Sequence, residues 1–152
     1  MDLVAAMIAD AAVVERGKLY IHGAGWDTIY AGSVPVTHPL MALALLFRVP
    51  YSEALVDIPI SIELVDEDGR GITPPAKVEG KINVGHAPGT KPGWPIAVPQ
   101  AIQFQGLQLP KVGGYSFRIT SGQTELASVL FRLAPLSEMP AGLAGLVPRP
   151  GS

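Results

Sequence analysis

The sequence predicts an all-β domain, an antiparallel β-sandwich of about eight or nine strands. Three observations carry this. Seventeen glycines and fifteen prolines cut the 152 residues into short runs. Those runs alternate apolar and polar side chains with a period of two. Between them no stretch repeats its apolar residues at helical spacing. The length suits one domain. We place it at residues 1–133, with 134–152 as a flexible Pro/Gly-rich tail.

The strands are read in order. Residues 3–8 read as a short first strand or one helical turn, since the alanines suit either, and 10–17 lead into a turn. In 18–22, Leu19 and Ile21 share one face and Lys18, Tyr20 and His22 the other. Gly23-Ala24-Gly25 breaks that run, and 26–30 follow as another short strand. Residues 40–49 are apolar on both faces. Met41, Leu43, Leu45, Phe47 and Val49 form one row; Leu40, Ala42, Ala44 and Leu46 form the other. A sandwich strand needs only one apolar face, so the second row needs a cover of its own. The candidates are a loop, a terminal segment or a neighbouring subunit.

In 57–65 the isoleucines 58, 60 and 62 point inward with Leu64. Pro59 cannot donate to a ladder and marks an edge or a strand start. Asp66-Glu67-Asp68-Gly69 reads as a turn with Gly69 at positive φ. Lys77 to Val84 alternates again, and 85–95 form a long irregular loop. In 97–109 the apolar parity switches after Gly106, which predicts a β-bulge there. Residues 115–120 and 125–133 pair as a hairpin through Ser121-Gly122-Gln123. From Ala134 the alternation stops. The last residues, Leu146-Val147-Pro148-Arg149 with Pro-Gly-Ser, resemble the remnant of a protease-site tag and are set aside from fold reasoning.

Composition excludes several classes. With no cysteine the chain has neither a disulfide framework nor a thiolate metal site. The net charge is −2, and no Lys/Arg run offers a footprint for nucleic acid or an anionic membrane. No basic n-region opens the chain, and its longest apolar run, 40–47, is far short of a membrane span. A cytoplasmic protein is expected. Charged residues make up only 16%, against about 25% in ordinary soluble domains. Few charges are available to solvate two outer sheet faces, so some apolar surface should be covered by another chain.

No chemistry-bearing motif survives inspection. Gly23-Ala24-Gly25 lacks the third glycine and the helix of a dinucleotide fingerprint and reads as a bend at a sheet corner. Asp66–Gly69 lacks the twelfth-position glutamate of a calcium loop, since Lys77 stands there. Asp27 or Asp57 would have to converge on it to make a sandwich-type calcium site. His22, His38 and His86 have no ligand spacing. No nucleophile motif is present. We therefore expect no catalytic, cofactor or metal residues. The best candidate for a functional loop is 85–95, with His86, Lys91 and Trp94. The competing reading is that Trp94 packs over an open end of the sandwich, as Trp26 is expected to pack into the core. The neutral row Gln103, Gln105 and Gln108 suits either an exposed face or a strand that meets another subunit.

Ala9-Asp10-Ala11-Ala12 with Gly17 to Asp27, then Asp66–Gly69, Pro88-Gly89, Gly114-Tyr115-Ser116-Phe117-Arg118 and Phe131-Arg132, stand in an order that is familiar. Together they resemble a bacterial family of uncharacterised small single-domain β-proteins, common in actinobacteria, over residues 1–133. That resemblance implies no activity, cofactor or catalytic residue.

The functional expectation is a non-enzymatic structural or interaction module. It would self-associate through the face of Leu40, Ala42, Ala44 and Leu46 as a homo-oligomer, or bind another protein. The alternative is a β-sandwich that binds a small ligand or glycan through the 85–95 loop, favoured if Trp94 is exposed in a monomer. An enzyme would need Asp27, His22 and His86 to converge.

Overall fold

The computed structural model describes residues 1–141. They form nine strands: β1 (Asp2–Glu15), β2 (Lys18–Ala24), β3 (Thr28–Ala31), β4 (Val36–Val49), β5 (Ile58–Asp66), β6 (Lys77–Ile82), β7 (Ile96–Leu109), β8 (Gly113–Ser121) and β9 (Thr124–Pro135). Single 3-10 turns at Tyr51–Glu53 and Leu136–Glu138 are the other regular pieces. One sheet has the order β2-β1-β4-β7 and the other β3-β9-β8-β5-β6. Every pairing is antiparallel except β3 with β9. This is the expected all-β sandwich.

Burial follows the alternation. Met41, Leu43, Leu45, Phe47 and Val49 all point between the sheets and are essentially inaccessible. Opposite them lie Ile60, Ile62 and Leu64 of β5 and Phe117 and Ile119 of β8. Phe117 packs on Phe104 of β7 and Phe131 of β9, with ring centroids 4.8 and 5.8 Å apart. Aromatic pairs at such spacing add to the area they bury.

Several boundaries differ from the sequence expectation. β1 continues through the alanines to Glu15, because residues 9–15 find a second partner in β2 after leaving β4. β9 runs to Pro135, and Ala134 is buried beside Tyr30. The rest of the expected tail, 142–152, lies outside the described residues. The parity change at Gly106 is not a register shift: β4 and β7 stay in step across it. Gly106 takes φ +62° instead, turning Leu107 and Leu109 into the core. Bulged registers occur elsewhere, at Leu3/Ala5 and Ile119/Thr120. Pro59 is a strand-start proline, since the β8 ladder begins only at Ser61.

The second row of β4 has its cover within the chain. The β1–β2 hairpin arches over the outer face of its own sheet and sets Ala12, Leu19 and Ile21 on Ala42, Ala44 and Ala101. The Gln103 amide fastens the arch by donating to the Ala12 carbonyl at 2.5 Å. Ala42 and Ala44 are fully buried by this contact. The alanines of β1 and β4 let the two layers approach this closely, since a larger side chain would hold them apart.

Candidate functional site

Two loops meet at one end of the sandwich. Residues 50–57 join β4 to β5, and residues 83–95 join β6 to β7. The second loop is built by two tandem turns. Ala87-Pro88-Gly89-Thr90 closes with Thr90 N–H on the Ala87 carbonyl at 3.0 Å. Lys91-Pro92-Gly93-Trp94 closes in the same way at 3.1 Å. Each has proline second and glycine third, with φ +84° at Gly89 and +88° at Gly93, the pattern a type II turn requires. A double Pro-Gly turn leaves the chain few alternatives. The loop therefore holds Trp94 in one place, and that place is in solvent: Trp94 is 66% exposed. It does not pack over the sandwich end.

His86 stacks on Tyr51 across the two loops, with centroids 4.0 Å apart and planes 27° apart. Lys91 and Trp94 line a shallow depression of about 450 Å³ with Thr90 and Ile96. A neighbouring hollow brings Gly93 and Pro95 beside Tyr51 and Arg48. The sequence-selected residues His86, Lys91 and Trp94 thus share one end of the molecule.

The loop 50–57 adds two side chains that sequence reading passed over. Leu55 and Val56 are 67% and 56% exposed. Leu55 has φ +66°, a region that bulky residues rarely enter. Its N–H donates to the Val84 carbonyl at 2.8 Å, which ties the two loops together. No local sequence signal marks this, since positive φ is normally announced by glycine or asparagine.

Several of the charged groups nearby have structural partners. The N-terminal ammonium of Met1 pairs with Glu53 at 2.6 Å. Asp57 accepts from Lys81 Nζ at 2.5 Å and from Asn83 Nδ2 at 2.6 Å. Those two hydrogen bonds hold the Asp57 carboxyl below the ordinary carboxylate range.

The other sequence candidates do not converge. Asp66 and Asp27 lie at the opposite end from Asp57. Asp66 Oδ1 accepts the N–H groups of Asp68 and Arg70 at 2.9 and 3.0 Å, and Gly69 takes φ +75°. This is the expected turn, and its backbone hydrogen bonds lower the Asp66 pKa. His22 lies on the β1–β2 hairpin, His38 faces Trp26 at 6.1 Å, and His86 is at the far end. Among the described residues no three His, Asp or Glu side chains gather as a metal site. Trp26 is half-buried against the core and donates to the Gly23 carbonyl at 2.8 Å. Of the β4 row, Ala42 and Ala44 lie under the hairpin, Leu46 is half-buried and Leu40 is 37% exposed. The row as a whole is not an open apolar face.

Among the described residues the fold is a nine-stranded β-sandwich with exposed apolar and aromatic side chains on two loops at one end. The chain belongs to the family of unknown function DUF6941, which matches residues 4–134. No curated protein matches the chain. Among the described residues no helix is long and apolar enough to cross a membrane.

Proposed function

We propose that the protein is a non-enzymatic interaction module that engages an apolar segment of another protein through the 50–57 and 85–95 loops. The conformation of Leu55 carries this reading. A leucine at φ +66° costs about 1–2 kcal/mol relative to the ordinary backbone regions, and its side chain, 67% exposed, recovers little by burial. Strain kept at a surface residue points to a use outside the chain's own stability. Val56 next to it and Trp94 on the neighbouring loop are exposed as well, and the proline-glycine turns fix the second loop in advance, which lowers the ordering cost of binding.

A second reading, a small-ligand or glycan site, draws on the depression beside Lys91, Thr90 and Trp94. An exposed indole with flanking polar groups suits a sugar ring as well as an apolar peptide. A displayed random-peptide library and a glycan array, each probed with wild type and with Leu55→Asn, separate the two. Enrichment of apolar peptides that is lost in Leu55→Asn supports the first reading. Glycan hits retained by Leu55→Asn and lost in Trp94→Ala support the second. Peptide enrichment unchanged by either substitution overturns the tip as the binding site.

A further inference from the structure

A different part of the molecule, the free side of β7, carries an inference independent of that tip. β7 is an edge strand, bonded to β4 on one side and to no strand on the other among the described residues. An antiparallel edge directs the N–H and C=O of every second residue outward, a ready template for another strand. Natural edges are protected by shortness or by charge. The other three edges of this sandwich follow the rule. β3 has four residues, β2 carries Lys18, and β6 has six residues with Lys77, Glu79 and Lys81. β7 is fourteen residues long and contains no charged side chain.

We infer that β7 pairs with β7 of a second copy of this chain, antiparallel about a two-fold axis, to join the two four-stranded sheets into one. A second copy is the fitting occupant because the strand is its own electrostatic complement. In a two-fold pair each residue meets residues of the same strand, so a charge near the axis would approach its own copy and a charge elsewhere would be laid against a neutral side chain. Here the side chains that meet are neutral, Gln105 and Gln108 among the exposed ones. The charges of the neighbouring edge are already engaged, Lys77 with Glu79 at 2.7 Å and Lys81 with Asp57 at 2.5 Å, and so do not repel an approaching copy. Pro99, which lacks an N–H, and Gly106, at φ +62°, are the interruptions of this edge.

The test is the mass of the full chain by size-exclusion with light scattering, with amide exchange measured on the same samples. Wild type should be a dimer at tens of micromolar. Alternate amides of Ile96–Leu109 should exchange more slowly as concentration rises. Gln105→Lys with Gln108→Lys, both at exposed positions, place charge on the edge as natural edges do against pairing and should weaken association by about tenfold or more, while circular dichroism keeps the wild-type spectrum. Should that double variant misfold, the concentration dependence of wild-type exchange decides alone. A monomeric wild type, or a dimer whose β7 amides exchange at a concentration-independent rate, overturns the inference.

Discussion

Gly23 shows how one residue sets the arch over the outer sheet face. Its φ is +63°, and a Cβ there would run into the Asp10 side chain. Gly23→Ala meets both penalties. It should cost about 1–3 kcal/mol and lower Tm by about 4–10 °C in a domain of this size. A thermal melt within a degree of wild type would show that the arch tolerates a side chain there. Asp57 gives the pH counterpart. Its folded pKa lies below its ordinary value of 3.8, so the contact stabilises the fold above that value. The contribution fades as pH falls through the lowered folded pKa. Asp57→Asn should flatten the stability curve on the acid side, below about pH 4. Because the pair is exposed and solvent-screened, the variant should be only slightly less stable than wild type at neutral pH, and the difference should close in that acid window. A difference between variant and wild type that widens as pH falls below about 4 would contradict this account.

At the level of elements, β4 carries the sharpest contrast. Ala44 lies under the β1–β2 hairpin, whereas Leu46, two residues along the same row, is half-buried. Ala44→Glu places an unpaired charge in a closed contact and should cost about 3–5 kcal/mol. Leu46→Lys can lead its ammonium out along the stem and should cost about 1 kcal/mol or less. Urea midpoints measure both, and equal losses would mean that the hairpin does not seal the face. The strands were legible because period-2 rows mark faces directly: Ile58 to Leu64 and Tyr115 to Ile119 needed only their own alternation. What covers a face is not written in its strand. The cover of Ala42 and Ala44 depends on how β1 leaves β4 for β2, a long-range path that Ala9 to Ala12 do not announce. Trp94, Lys91 and His86 could be gathered from sequence because one Pro-Gly loop holds them. Leu55 could not, because a leucine carries no local signal for positive φ, and the backbone contact it makes, with Val84, belongs to the other loop.

The same local strain can be weighed against the whole fold. Leu55→Asn keeps the left-handed backbone with a residue that tolerates it better. If the leucine serves binding and not folding, the variant should be more stable by about 0.5–1 kcal/mol, a Tm rise of about 2–4 °C. A fall in Tm would mean that Leu55 supports the end of the sandwich, and the strain argument for a binding tip would fail with it.

The two interaction surfaces also fix a geometry for the assembly. The 83–95 loop leads directly into β7, so antiparallel pairing of β7 would send the two tips to opposite ends of the dimer and present two separate partners with one tip each. The absence of cysteine allows single-cysteine spin labels to measure this. Ala97 and Gln105 lie eight residues apart on the outer face of β7 and are both exposed. In a two-fold antiparallel ladder each label lies from its own copy by twice its distance from the axis. If the axis falls between positions 97 and 105, the Ala97→Cys and Gln105→Cys distances must add to about 54 Å at about 3.4 Å per residue, whatever the register. Full overlap divides this into about 37 Å and about 17 Å. Contact through the β4 face, or a parallel arrangement of β7, imposes no such constant total. Two distances that are both short, or a total far from that value, would rule out the edge-paired dimer even if the protein proves dimeric.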